Sequence, residues 1–148
     1  MIRAVIDTNV WVSAFLRPDG IPGKILHAWR RREFEAHVST YTIVELARVL
    51  GRPRIVHKYQ VRWTEVLRFV GDVVAGAVVH HVGNAPRRCR DADDDVQLEL
   101  ATRLAPTSHL VSGDADLAAD AALVASMESV GVVVLSPAAF LRKLDEVA

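Results

Sequence analysis

Ala4-Val5-Ile6-Asp7-Thr8-Asn9-Val10 turns an apolar, β-branched run into three small polar residues of the kind that start helices. The apolar run begins at Ile2 and reads as a strand over 2–6, and helical periodicity takes over at Val10. Asp7 therefore falls where a strand meets a helix. In open α/β sheets, that edge, outside the carboxyl ends of the strands, is where ligand-handling groups stand. The pattern recurs at Leu110-Val111-Ser112-Gly113-Asp114, which sets a second acid after a second strand.

Working outward, β-branched runs predict further strands over 34–38, 77–82, 109–111 and 132–135. Between them, helical periods predict helices over 10–16, 22–32, 41–50, 61–74, 95–104, 117–130 and 137–147. Val66, Phe69, Val70, Val73 and Val74 share one broad stripe, which marks the fourth of these helices as core-facing. Alternating strands and helices imply the α/β class, a three-layer α/β/α sandwich around a mostly parallel five-stranded sheet. Gly51 with Pro53 closes the third helix, Gly131 sits where a left-handed cap is needed, and Pro137 stands just inside the last helix. The longest irregular piece is the loop over 83–90.

A chain of 148 residues with 51% apolar content suits one domain over 1–148 with a full core. No apolar stretch is long enough for a spanning helix, so the expected location is cytoplasmic. The lone Cys89 excludes an internal disulfide and a thiolate metal cluster. The formal net charge of zero hides a division: residues 1–90 hold 15 Lys/Arg against 7 Asp/Glu, and residues 91–148 hold 3 against 11. Halves of +8 and −8 can set a cation-attracting pocket beside an anion-attracting surface.

The acids have competing structural readings. Asp7 is a good N-cap for the helix that follows it. Thr42-x-x-Glu45 has capping-box spacing, but Ser39 and Thr40 follow the strand directly; a helix capped there leaves the Glu45 carboxylate beyond the first turn. Asp91, Asp93, Asp94 and Asp95 place four acids in five residues before a helix. The helix dipole rewards negative charge there by ~0.3–1 kcal/mol per group, which accounts for one or two of them. Four invite a bound cation or a basic neighbour. Asp116 is a candidate cap for the helix after Asp114. Should Asp7, Glu45, Asp95 and Asp114 converge, their hard oxygens suit Mg²⁺ or Mn²⁺ better than Zn²⁺.

Other chemistries lack their motifs. The six histidines show no HxxxH or HxH spacing and read as core or surface residues. No phosphate-binding glycine loop, dinucleotide fingerprint or nucleophile elbow is present. Trp11 and Trp29, at helical spacing with Phe15 and Leu26, read as core.

The order and spacing of these acids resemble the PIN-domain family, in particular the VapC-like toxins of prokaryotic toxin–antitoxin systems, over essentially the whole chain. Asp7 in Val-Ile-Asp-Thr-Asn-Val matches the family's N-terminal strand motif, Glu45 in Ile-Val-Glu-Leu its helix-borne glutamate, and Asp95 and Asp114 the two later acids. Val49-Leu-Gly-Arg-Pro-Arg-Ile and Cys89-Arg-Asp resemble one subgroup. The chain departs from it at Ala92 and Asp93, and its Asp95-to-Asp114 interval is one residue longer than is common. Asp94 thus stays a candidate for the inward acid beside Asp95, which the resemblance favours.

The resemblance implies a Mg²⁺- or Mn²⁺-dependent endoribonuclease that is the toxin of a toxin–antitoxin pair. Asp7 and Asp95 would bind the metal directly, with Glu45 and Asp114 completing the site and Asp116 in reserve. Thr8, Asn9 and Ser112 would orient the carboxylates. RNA would approach over Arg17, Lys24, Arg52 and Arg54, whose phosphate contacts give affinity without sequence choice. A homodimer and an antitoxin peptide are the implied protein partners; a mean hydropathy of +0.18 is consistent with apolar surface kept for them. The alternatives are a DNA-directed nuclease of related fold and an inactive PIN-scaffold RNA-binding module. An aspartyl-phosphate phosphatase fits less well, because Asn9 stands where that chemistry needs a second aspartate.

Overall fold

The computed structural model describes residues 1–83 and 92–148, without the side chains of residues 92, 93, 115 and 116. Residues 84–90 of the expected loop, with Cys89, and also Asp91 and the side chains of Asp93 and Asp116, lie outside the described residues.

Five strands, β1 (Arg3–Ile6), β2 (Glu35–Ser39), β3 (Val78–His80), β4 (Ser108–Val111) and β5 (Val132–Leu135), form one sheet in the order β3-β2-β1-β4-β5. Every pairing is parallel, so the expected mostly parallel sheet is parallel throughout. β1 occupies the centre, matching Val5 to His37 on one side and to Leu110 on the other. Strand order reverses between β1 and β4, which makes their carboxyl ends the switch point where such sheets bind ligands.

Alternation along the strands divides the core in two. Ala4, Ile6, Ala36 and Val38 face one side, where they pack with Val10, Trp11, Leu46, Val66 and Phe140. Those partners come from α1 (Thr8–Leu16), α3 (Thr40–Leu50), α5 (Trp63–Gly76) and α9 (Pro137–Val147), with α2 (Ile21–Arg30) completing the layer. Val5, Leu110, Val132 and Val134 face the other side and meet α6 (Ala92–Leu104), α7 (Ala115–Ala119) and α8 (Ala121–Ser129). The result is the expected three-layer sandwich. Trp11 and Trp29 are buried and cross edge to face at 5.2 Å, as core residues. In α5, Val66, Phe69 and Val73 are buried while Val74 is 48% exposed, so the apolar stripe narrows at its edge.

Several boundaries differ from expectation for local reasons. A further helix, α4 (Pro53–Tyr59), was not expected: it buries no residue, so it leaves no apolar period, and Pro53 begins it at a position where the missing N–H is harmless. The expected helix over 117–130 is two, because the Asp120 carboxylate accepts from the Leu123 N–H at 3.0 Å and starts α8 afresh. α6 begins at Ala92 instead of Asp95, since acids in a first turn favour its dipole. Gly131 has φ 87°, and a Cβ there would meet Pro106 Cα at 2.7 Å, so the left-handed turn into β5 requires glycine. No helix among the described residues is long and apolar enough to cross a membrane.

Candidate metal centre at the switch point

Asp7 stands at the start of α1 and is 4% exposed, yet its side chain makes no capping hydrogen bond to that helix. Its backbone N–H donates to Val111 O at 2.9 Å, which fixes the residue against the end of β4. The carboxylate instead accepts from Ser112 Oγ at 2.9 Å. Ser112, 1% exposed, also accepts the Asp114 N–H at 3.1 Å. One buried hydroxyl therefore ties the first acid to the backbone of the last, across the crevice between β1 and β4.

On the other flank, Ser39 Oγ accepts from the Thr42 N–H at 3.0 Å and caps α3. Glu45 consequently lies beyond the first turn, and the capping-box reading fails. The Gln97 Nε2 of α6 donates to Thr42 Oγ1 at 2.9 Å and locks the start of α3 to the middle of α6. Gln97 Oε1 is buried without a hydrogen-bond partner among the described residues. Asp94 and Asp95, 7% and 2% exposed, occupy the same half of α6, so both adjacent acids are withdrawn from solvent. Neither Gln97 nor this α3–α6 lock was singled out from sequence. A glutamine two residues after an acidic run gives no periodic signal.

Asp7 and Asp114 thus stand at the carboxyl ends of β1 and β4, with Glu45 on α3 and Asp95 on α6, the two helices that Gln97 joins; the four do not form a closed cage. Among the described residues, no group of three or more His, Cys, Asp or Glu side chains stands close enough to hold an ion by itself. The Glu45 carboxylate is taken up by the Arg48 guanidinium, with Arg48 Nη2 at 2.7 and 2.8 Å and Nε at 3.1 Å. The donor set nevertheless fits Mg²⁺ or Mn²⁺ by its chemistry. Its carboxylates would offer hard oxygens alone, and Mg²⁺ takes one or two carboxylates directly and keeps water in the remaining positions. Of the expected orienting residues, Ser112 is engaged, Thr8 is buried at the first position of α1, and Asn9 is exposed.

The expected RNA-contacting residues are exposed but not contiguous. Arg17 Nη2 donates to Tyr59 Oη at 3.0 Å, and Lys58 lies 5.3 Å from the Tyr59 ring centroid. The Arg17 hydrogen bond, more than any other contact, holds the Tyr59 hydroxyl below its usual range. Arg52 and Arg54 begin the same short helix, α4. Lys24 lies apart, in a cavity of about 390 Å³ shared with Glu33, Leu141 and Asp145.

Comparison with known proteins agrees with this fold. A PIN-domain profile matches residues 3–116. The uncharacterized protein MJ1680 of Methanocaldococcus jannaschii is 31% identical over 120 residues, covering 78% of this chain and 73% of that protein. Among solved structures, the PilT N-terminus domain protein SSO1118 of Sulfolobus solfataricus P2 superposes with a TM-score of 0.53 at 13% identity, over 97% of this chain and 93% of that one. A domain of a functionally unknown Methanocaldococcus jannaschii protein does so at 0.51 and 14%, over 92% and 91%. By the family match and the archaeal relative together, the chain belongs to the PIN-domain family, whose fold is generally that of a nuclease using divalent metal ions.

Proposed function

We propose that the protein is a Mg²⁺- or Mn²⁺-dependent endoribonuclease and the toxin of a toxin–antitoxin pair. The observation that carries this reading is the Asp7–Ser112–Asp114 tether at the switch point, with buried Asp94 and Asp95 on the flanking helix. When bound, a divalent ion supplies Lewis acidity and water activation for phosphodiester hydrolysis. Ser112 holds the Asp7 carboxylate in one orientation, Asp95 is the second direct ligand, and Glu45 and Asp114 complete the site, with Asp94 and Asp116 as adjacent acids. Thr8 and Asn9 orient the first turn of α1 around Asp7.

Arg17, Lys24, Arg52 and Arg54 supply phosphate contacts, which favour a flexible single strand or loop over a long duplex. Val44 on α3 and Trp63 and Leu67 on α5 are 67%, 52% and 54% exposed, which supports apolar surface kept for a homodimer or antitoxin contact. An antitoxin arginine entering the acidic site would inhibit by charge compensation, as Arg48 already does for Glu45.

The test is cleavage of defined RNA and DNA oligonucleotides by purified protein with Mg²⁺, Mn²⁺ or a chelator. The expected result is RNA cleavage that either ion supports and the chelator abolishes. Cleavage of DNA alone would move the assignment to a DNA-directed nuclease. Binding of RNA with no cleavage under any ion would make the chain an inactive scaffold.

A further inference from the structure

Away from the acidic edge, two imidazoles and a carboxylate form a hydrogen-bonded chain across the outermost strand pair. Glu35 Oε1 lies 2.6 Å from His37 Nε2, and His37 Nδ1 lies 2.8 Å from His80 Nε2. The two rings stack with centroids 5.1 Å apart. His37 is 4% exposed, whereas β3 offers little else to hold it: Val78 and Val79 are 41% and 38% exposed. Among the described residues, β3 pairs only with β2, over three residues. His81, just beyond β3, lies 3.2 Å from Thr40 Oγ1 at the start of α3.

We propose that the Glu35–His37–His80 chain is an acid-released clasp that fastens the edge strand β3 to β2.

Counting protons gives the reason. With both imidazoles neutral, His37 donates from Nε2 to Glu35 and accepts at Nδ1 from His80 Nε2–H, so both bonds are made. One added proton is accommodated, because either ring can then donate to the other while Glu35 compensates the charge. A second added proton places N–H groups on both sides of the 2.8 Å gap, which removes the bond and sets two positive rings against each other. A second proton therefore enters only as this contact opens. Among the described residues, Arg103 of α6 also faces His80, and Glu99 pairs with Arg103 at 3.3 Å. Burial, then His37, then Arg103 lower the affinity of His80 for a proton, in the direction this count requires. Opening uncovers the β2 edge, a row of backbone groups able to pair with another strand.

The experiment is hydrogen exchange at the amides of Val78, Val79 and His80 in the full chain, corrected for the intrinsic rate, from about pH 7 to about pH 5. The wild type is expected to lose protection by up to about tenfold per pH unit, the slope of one proton taken up on opening. His80→Asn and His37→Gln each remove one imidazole, so the tenfold-per-unit acid slope at these amides should be lost. Should buried His37 not tolerate replacement, the half-buried His80→Asn decides alone. Wild-type protection that is flat with pH, or the same acid slope in the folded variants, would overturn the clasp.

Discussion

Ser112 is the residue on which the site's order depends most, since its hydroxyl serves Asp7 and the Asp114 amide at once. Ser112→Ala leaves the Asp7 carboxylate without its tether, and outer-sphere losses of this kind reduce metal affinity or activity ~10–100-fold. The expected outcome is a loss of that size in metal-dependent cleavage with the thermal midpoint little changed; an unaltered rate would remove Ser112 from the site. Arg48 makes the opposite prediction. A cation drawn to Glu45 would have to displace its half-exposed fork, and surface pairs of this kind contribute ~0.2–1 kcal/mol. Arg48→Ala should therefore tighten Mn²⁺ binding by up to about fivefold, read by calorimetry, whereas weaker binding would show that Arg48 supports the site. Sequence alone exposed Asp7, Asp114 and Ser112, because strand ends followed by small polar residues are local patterns. Arg48, Gln97 and the His37–His80 contact were not legible there. Each acts through a partner fixed by helix phase or strand register, and the two histidines come from strands that are neighbours only in the sheet.

At the level of elements, four strands are legible to within a residue, because continuous β-branched runs are what a sheet buried on both faces demands, while the strand expected over 77–82 shortens to Val78–His80, whose valines are exposed. Helices were read where they carry an apolar stripe. α4 escaped because it buries nothing, and the α7–α8 break escaped because one aspartate in a helical period reads as solvated surface until its carboxylate is seen to cap. Two substitutions test these local devices. Gly131→Ala sets a Cβ against Pro106 at a positive φ, a strain of ~1–3 kcal/mol, and should lower the thermal midpoint by several degrees. Asp120→Ala removes the α8 cap and should cost about 1 kcal/mol in denaturant unfolding. A Gly131→Ala protein as stable as wild type would mean that the turn into β5 does not need its left-handed glycine.

Across the whole molecule, two histidines make stability depend on pH. Burial holds His109, packed on the core with a ring nitrogen 3.2 Å from Arg3 O, below its ordinary value of 6.5, and His80 is lowered likewise. The folded state thus binds fewer protons than the unfolded state once the pH falls below about 6.5, and stability declines from there until the folded-state groups titrate. The urea midpoint should therefore fall between about pH 6.5 and pH 5.5, and His109→Gln should flatten part of that slope. A midpoint that rises on acidification would contradict the sign. The fold brings one acid from each half of the chain together: Asp7 and the Asp114 amide share Ser112 because β1 lies beside β4.

That meeting of acids is the central claim, and Mn²⁺ titration by calorimetry reads it most directly, with wild type compared against Asp7→Asn and Asp95→Asn, each shown to be folded. The account predicts measurable Mn²⁺ binding by the wild type and a loss of at least about 100-fold in affinity in both variants. Binding of equal strength in all three proteins would contradict it.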